Sequence, residues 1–153
     1  MSHEHFFEGD LHWTGQATQA DGKLHLKRSF TIEFPGKSPL AGSSPEVFHG
    51  DNRHHNPETL MISSLMACHH LTYLAVCERS GIAITSYTDH GVGKLAMRDG
   101  KMRMVEVVLK PRVKVADAAQ VERAVALHEK AHANCFMSNS VNFDVHVEAS
   151  VTA

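Results

Sequence analysis

The amino-acid sequence predicts an α+β fold in which strands, a long helix, more strands, a second helix and a closing strand follow one another. Three patterns predict it: apolar residues at every second position in the first third, a strong helix start at Asn56 before a long apolar stretch, and a second period of two near the end. Helices and strands do not alternate regularly, which excludes a repeated βαβ unit. The length of 153 residues predicts a single domain covering residues 1–153.

The first third is predicted to form a β-hairpin. Apolar side chains occupy most even positions from Leu24 to Phe34, which predicts one half-buried strand. Arg28 has the same parity, so we expect its guanidinium to face inward unless its stem lies along the sheet and its head reaches water. An earlier strand is predicted from Phe6 to Trp13, and the turn at Ala20-Asp21-Gly22 is expected to join the two strands.

The next segment is a long loop followed by the central helix. Residues 35–55 are rich in Pro, Gly, Ser and His and show no sustained period, although a short helical turn or strand within them is compatible with the pattern. Asn56-Pro57-Glu58 then places a cap, a proline at the first helical position and an acidic side chain in the first turn. Gly81 suits a left-handed cap, so the helix should end near Ser80. Its apolar residues surround most of the axis, which predicts a helix covered on more than one side.

The second half is predicted to contain a hairpin, a helix and a strand. Ile82–Leu95 and Lys101–Val115 are expected to pair around the turn at Arg98-Asp99-Gly100. Ala118 to about Asn134 has a helical period, and Val141–Val151 alternates as a closing strand.

Charge and composition narrow the classes of function. Fifteen Lys and Arg against seventeen Asp and Glu give a net charge of -2, so the basic field needed to bind nucleic acid is missing. The thirteen histidines predict sensitivity to pH. No secretory signal is visible at the start, and polar residues interrupt the apolar helix, so we expect a cytoplasmic protein without a membrane span.

The three cysteines are expected to be free, catalytic or metal-binding rather than structural disulfides. Cys68 and Cys77 on one helix would lie about 180° apart and roughly 13.5 Å along the axis, beyond disulfide reach. Cys77 is interpreted as a small buried apolar residue. Cys68 lies mid-helix, so a reactive thiolate there would need a nearby cation such as Arg28, and only the fold can bring Cys135 close to it.

Histidine motifs offer another chemistry. His128, Glu129 and His132 match HExxH, in which two histidines one helical turn apart bind Zn²⁺ and the glutamate acts as a base. The motif needs a third ligand, and the extended form is absent because Cys135 and Ser138 occupy its later positions. Solvated or core-edge histidines are the ordinary alternative. On the first helix, the rings of His69 and His70 would point about 100° apart, so that one flanks Cys68 while the other packs.

The chain resembles the osmotically inducible protein C and organic hydroperoxide resistance (OsmC/Ohr) family. The resemblance covers nearly the whole chain and depends on these residues: Asn56-Pro57-Glu58-Thr59-Leu60, Ser63-Ser64-Leu65-Met66-Ala67-Cys68, Gly81, Ala131-His132-Ala133-Asn134-Cys135 and Ser138. It implies an OsmC-like fold with antiparallel sheets around a long central helix. It also implies an intertwined homodimer with two sites at the subunit interface.

The resemblance further implies a thiol peroxidase. Cys68 matches the peroxidatic cysteine, Cys135 the resolving cysteine, and Glu58 the carboxylate that pairs with a catalytic arginine. Arg28 is our first choice for that arginine and Arg53 our second. The expected reaction reduces an organic hydroperoxide to an alcohol, forms a Cys68–Cys135 disulfide and uses a lipoyl-type or small dithiol as reductant, with no organic or metal cofactor.

Two departures from the family pattern indicate a divergent subgroup. His69 follows Cys68 where an aromatic residue is frequent, and Phe136 follows Cys135 where proline is frequent. Two other functions therefore stay open: a zinc-dependent hydrolase that uses His128, Glu129 and His132, and a non-catalytic, stress-related ligand-binding protein of the same fold.

Overall fold

The computed structural model describes residues 4–153, which form an α+β structure with two α-helices and eleven strands. The described residues up to Leu60 make one compact unit, and Met61–Ala153 make a second. The strands are β1 Asp10–His12, β2 Ala17–Ala20, β3 Lys23–Leu26, β4 Phe30–Glu33, β5 Leu40–Gly42, β6 Ile84–Thr88, β7 Val92–Arg98, β8 Lys101–Leu109, β9 Arg112–Val115, β10 Asp144–Val147 and β11 Ser150–Thr152; the helices are α1 Pro57–Arg79 and α2 Val121–Ala133.

The predicted turn in the first unit is confirmed, but the strands that it joins are not the predicted ones. Asp21 and Gly22 have φ of 52° and 70°, the left-handed values of a tight turn, and they connect β2 to β3. The earlier strand, predicted from Phe6 to Trp13, is limited to β1. It pairs with β4, which also pairs with β5 in an antiparallel sheet.

The continuous strand predicted from Leu24 to Phe34 is wrong. β3 ends at Leu26 and β4 begins at Phe30, and all of β3 is exposed. Between them the carbonyl of Lys27 accepts a hydrogen bond from the Trp13 indole at 2.8 Å. The two strands belong to different sheets, so even-numbered residues in β3 and in β4 need not face the same side.

The predicted loop at 35–55 contains β5 and a short 3₁₀ turn at Glu46–Phe48. The buried hydroxyl of Ser43 accepts a hydrogen bond from the Asp51 N–H at 3.1 Å, and the Ser43 N–H donates to the His55 carbonyl at 2.8 Å. These bonds order the segment that leads into α1.

Both predicted ends of α1 are confirmed. The Asn56 side-chain oxygen accepts a hydrogen bond from the Thr59 N–H at 2.8 Å, as expected of an N-cap. At the other end Gly81 has φ of 68°, its N–H donates to the Glu78 carbonyl, and the Ile82 N–H donates to the Cys77 carbonyl. That pair of bonds is a Schellman motif, which explains why the helix stops there.

The second unit contains two three-stranded sheets, in the orders β10-β8-β7 and β11-β9-β6. The hairpin around Asp99 and Gly100 is confirmed as β7 and β8. Each long predicted strand is divided in two; between β8 and β9 the interruption falls at Pro111, which has no N–H to donate to a ladder. The closing segment is also divided, and β10 and β11 run parallel to β8 and β9.

Helix α1 contributes to both apolar cores of the second unit. Tyr73, Val76 and Cys77 pack in one core, and Leu65 packs in the other. Its length and hydropathy would also suit a membrane span, a test that core helices of soluble proteins pass as well. The helix is less covered than expected, because Leu71 is 64% exposed in the described chain.

Candidate functional site

The fold brings Cys68 and Cys135 together. Cys68 lies in the middle of α1 and is half-buried, whereas Cys135 follows the end of α2 and is fully buried. The Cys68 side chain is close enough to the Cys135 thiol to raise its pKa. Both cysteines are free, so the structure places a reduced pair of neighbouring thiols here, of which Cys68 is the more accessible.

Two successive backbone amides complete this arrangement. The chain turns sharply after α2, and the Met137 N–H donates to the Cys68 sulfur at 3.5 Å while the Ser138 N–H donates to the Cys135 sulfur at 3.5 Å. Hydrogen bonds donated to a sulfur stabilise negative charge on it. Cys68 therefore has a backbone donor, the Met137 amide, that can stabilise its thiolate.

The environment of Cys135 favours its protonated form. Burial raises the pKa of this thiol, and the neighbouring Cys68 acts in the same direction, while Ser138 opposes them. A thiol that stays protonated near neutral pH is a poor first nucleophile but a suitable donor to a neighbouring sulfur. The two cysteines thus have different chemical roles.

Cys77 belongs to the apolar core. It is 1% exposed, burial raises the pKa of its thiol, and it packs with Val76 and Ile82. The uninterrupted helix between Cys68 and Cys77 keeps them apart, as the sequence predicted. The interpretation of Cys77 as a small buried apolar residue is confirmed.

The charged residues proposed for the site lie in the first unit. The structure contradicts the inward orientation expected of Arg28, which is exposed and lies outside any strand, between β3 and β4. One carboxylate oxygen of Glu58, in the first turn of α1, is buried without a hydrogen-bond partner among the described residues. In that part of the chain no ion pair joins Glu58 to Arg28 or to Arg53.

Arg53 is instead paired with Asp51. Its guanidinium donates to both carboxylate oxygens, with the shortest contact at 2.7 Å. These hydrogen bonds hold the pKa of Asp51 well below its usual range and raise the pKa of Arg53. The Arg53 side chain is 86% exposed, so the pair lies at the surface of this chain.

A buried pair of histidines links the two helices, and its first member, His69, follows Cys68 in sequence. Nε2 of His69 and Nδ1 of His128 are 3.0 Å apart, and the side chains are 0% and 4% exposed. Burial lowers the pKa of each to about 4, with neighbouring histidines adding to the effect. At neutral pH both rings are uncharged and share one bridging proton.

Tyr73 fixes this pair between the helices. Its ring stacks on His128 with centroids 3.8 Å apart and planes 10° apart, and its hydroxyl donates to the Ala124 carbonyl at 3.0 Å. His69 and Tyr73 are four residues apart on α1, so they share a face of the helix. Burial raises the pKa of Tyr73 and keeps the hydroxyl protonated.

The HExxH motif does not form a metal centre in the described residues. His128 uses Nδ1 in its bond to His69, Glu129 is exposed, and no group of three or more His, Cys, Asp or Glu side chains in the described chain could hold a metal ion. His70 packs its ring against Tyr87, with centroids 4.3 Å apart. The two adjacent histidines thus face different neighbours, as their helical spacing predicted.

Sequence reasoning missed the bond between His69 and His128 and the amide donors at 137 and 138. A usable signal was the sequence His69-His70-Leu71-Thr72-Tyr73, which puts an imidazole and a phenol on one face of an otherwise apolar helix. No local signal in the sequence indicates that His128 lies opposite them.

The fold and the cysteine pair together indicate the class of protein. It is an α+β protein with two neighbouring free cysteines, one in the middle of the long helix and one at the end of the second helix. Residues 50–150 match the family model described as OsmC-like protein, so this chain belongs to the OsmC-like family.

Known proteins with similar chains agree with this assignment. A structure of an OsmC-like protein of unknown function from Vibrio cholerae O1 superposes with a TM-score of 0.86 at 29% identity, covering 95% of this chain and 99% of that one. An organic hydroperoxide resistance protein OsmC from Legionella pneumophila gives a TM-score of 0.71 at 20% identity, with 97% and 98% covered. The uncharacterized protein YmaD of Bacillus subtilis is 27% identical over an alignment of 145 residues, with 86% of this chain and 96% of YmaD covered.

Proposed function

We propose that this protein is a thiol peroxidase that reduces organic hydroperoxides to alcohols. The observation that carries the proposal is that the successive amides of Met137 and Ser138 donate to the sulfurs of Cys68 and Cys135, so that an accessible and a buried thiol are neighbours. Membership of the OsmC-like family supports it, as do the names of structural neighbours that are organic hydroperoxide resistance proteins.

The proposed first step occurs at Cys68. Its thiolate attacks the distal oxygen of the hydroperoxide, the O–O bond breaks, and the alkoxide leaves and takes up a proton to become the alcohol. Cys68 is left as a sulfenic acid. The Met137 N–H supports this step because it donates to the sulfur that carries the negative charge.

The second step uses Cys135. Its thiol attacks the sulfur of the Cys68 sulfenic acid, the S–O bond breaks, and the thiol proton leaves with the hydroxyl group as water. A disulfide between Cys68 and Cys135 results. A lipoyl-type or small dithiol then reduces it and becomes a disulfide itself, so the cycle needs no organic or metal cofactor.

A cation beside Cys68 is the remaining requirement, and we propose that a homodimer supplies the complete site. An exposed arginine at position 28 and a buried carboxylate oxygen of Glu58 without a partner in the described chain are features of an incomplete site. Arg28 stays our first choice and Arg53 our second, since Arg53 already has Asp51 as its partner. His69, adjacent to Cys68, is proposed to flank the site.

The proposed compartment and partners follow from the chemistry and the charge of the chain. A dithiol reductant and free cysteines suit the reducing cytoplasm, where we place the protein. We expect neither nucleic acid nor a membrane as a partner, because the net charge is only -2 and α1 contributes to two apolar cores of the chain.

The test is peroxide consumption with cumene hydroperoxide and dihydrolipoamide. Cys68→Ser should reduce turnover to the uncatalysed rate, because an alcohol is not appreciably ionised at neutral pH and forms no sulfenic acid. Cys77→Ser is the matched control, since Cys77 lies in the core, and it should retain activity. Unchanged turnover in Cys68→Ser would rule out the proposed function.

A further inference from the structure

A cleft in the second unit lies between α2 and the segment that includes β10. Its volume is about 500 Å³, within the usual range for small-molecule sites. One wall consists of Val125, His128, Glu129 and His132, and the other consists of residues 145–149. None of the three cysteines belongs to this lining, so the cleft is separate from the thiol pair described above.

Two imidazole nitrogens at this cleft have no hydrogen-bond partner in the described residues. Nδ1 of His128 is bound to His69, which is not part of the lining, so Nε2 is the ring nitrogen left for the cleft. That Nε2 atom is buried and unpartnered, and so is Nδ1 of His132. An unsatisfied buried polar atom is costly, and a ligand that hydrogen-bonds to it removes the cost.

The charges around the cleft favour a cation. Its lining in the described chain contains two carboxylates, those of Glu129 and Glu148, and no lysine or arginine. Glu148 is paired with Lys110 at 2.8 Å, and His146 lies 3.6 Å from Glu106. Glu129 is exposed and forms no ion pair with any described residue.

We propose that this cleft binds a small amphipathic amine. The ammonium group donates a hydrogen bond to Nε2 of His128 and pairs with the carboxylate of Glu129, while the apolar part of the ligand packs on the valines of the lining. Because Nε2 of His128 is buried, this contact requires side chains of the lining to move, and among them Val125 and Glu129 are exposed.

Binding has a consequence for the histidine pair. An ammonium donor requires an unprotonated Nε2 on His128. Nδ1 of His128 must then carry the proton and donate a hydrogen bond to Nε2 of His69. His69 then carries its own proton on Nδ1. The ligand thus selects the tautomer of the residue that follows Cys68, which provides a spectroscopic signature of binding at this position.

The experiment is ¹⁵N NMR of the histidine side chains in the full-length protein at pH 7.5. Benzylamine, benzyl alcohol and benzoate serve as probes, because they share one aromatic ring and differ in charge. We expect benzylamine to shift the His128 Nε2 resonance in a saturable manner and to place the His69 proton on Nδ1. Benzyl alcohol should bind more weakly, and benzoate should not bind.

Two exposed variants on α2 test the role of charge without disturbing the core. Glu129→Gln should weaken benzylamine binding about two- to fivefold, as expected for the loss of an exposed ion pair, and leave benzyl alcohol unchanged. Glu122→Gln, outside the lining, is the matched control and should change neither affinity.

Three results would overturn the proposal. One is an unchanged His128 Nε2 resonance up to the solubility limit of benzylamine, which is also what a cleft covered by a second copy of the chain would give. Another is benzoate binding as tightly as benzylamine. The third is an equal effect of Glu129→Gln and Glu122→Gln on benzylamine affinity.

Discussion

Acid should destabilise this protein through the buried pair of His69 and His128. Burial lowers the pKa of each from 6.5 to about 4 in the folded chain, whereas both return to the ordinary value on unfolding. As pH falls below 6.5 the unfolded chain therefore takes up protons that the folded chain does not. The free energy of unfolding therefore keeps its full contribution from the uncharged histidines above pH 6.5. It decreases as the pH falls below 6.5 and stops decreasing below about pH 4.

The magnitude follows from these pKa values. At pH 5.0 one such histidine lowers the free energy of unfolding by about 2 kcal/mol relative to pH 7.5, and two independent ones would lower it by about 4 kcal/mol. The slope near pH 5 is about 1.2 kcal/mol per pH unit for each histidine. An effect of this size is a large fraction of the stability of an ordinary domain.

The assay is urea unfolding of the reduced protein at a fixed concentration between pH 4.5 and pH 7.5. The double variant His69→Phe with His128→Phe removes both titrating groups and keeps ring volume beside Tyr73, so its slope between pH 4.5 and pH 6.5 should be much shallower. His25→Gln, on the exposed strand β3, is the matched control and should follow the wild type. Parallel pH profiles for the wild type and the double variant would refute the reasoning.

Three other predictions concern the site and its helix. Cys135→Ser should allow one oxidation of Cys68 but not efficient turnover, and mass spectrometry should find added oxygen on Cys68; a Cys68–Cys77 disulfide would contradict the helix geometry. Arg28→Met should slow alkylation of Cys68 at pH 7 and lower peroxidase activity, because it removes the proposed cation; if Arg53→Met has that effect and Arg28→Met does not, our choice of arginine is wrong. Asn56→Ala should lower the free energy of unfolding by about 1 kcal/mol in urea melts, and an unchanged midpoint would argue against the cap.

Helix α1 was predictable because its signals are local. The cap at Asn56 and the left-handed glycine at position 81 act through bonds to residues only a few positions away, and both are formed as expected. The order of elements and the OsmC-like fold could also be predicted, because hydrophobic periods and family motifs lie in the sequence itself.

The orientation of Arg28 could not be predicted from its parity. A period of two indicates which side chains share a face, but it does not show where one strand ends and the next begins. The break at residues 27–29 separates strands of two different sheets and leaves Arg28 exposed. The division of the later strands has the same origin, because strand pairing depends on distant partners.

The contacts inside the site were also beyond the sequence. Both cysteines were identifiable from motifs, but their proximity and the bond from the Met137 amide to the Cys68 sulfur depend on how α2 ends beside α1. His69 and His128 are 59 positions apart, and the HExxH pattern offered a zinc site for the second only as an alternative to a core-edge histidine. Tertiary packing pairs the two rings, which no local pattern indicates.

The most direct test of the proposed chemistry is peptide mapping of the protein after one equivalent of cumene hydroperoxide. The reduced wild type, with three free cysteines, should lose the thiols of Cys68 and Cys135, gain a disulfide between them and keep Cys77 free. Retention of all three thiols, or a disulfide that includes Cys77, would contradict the account.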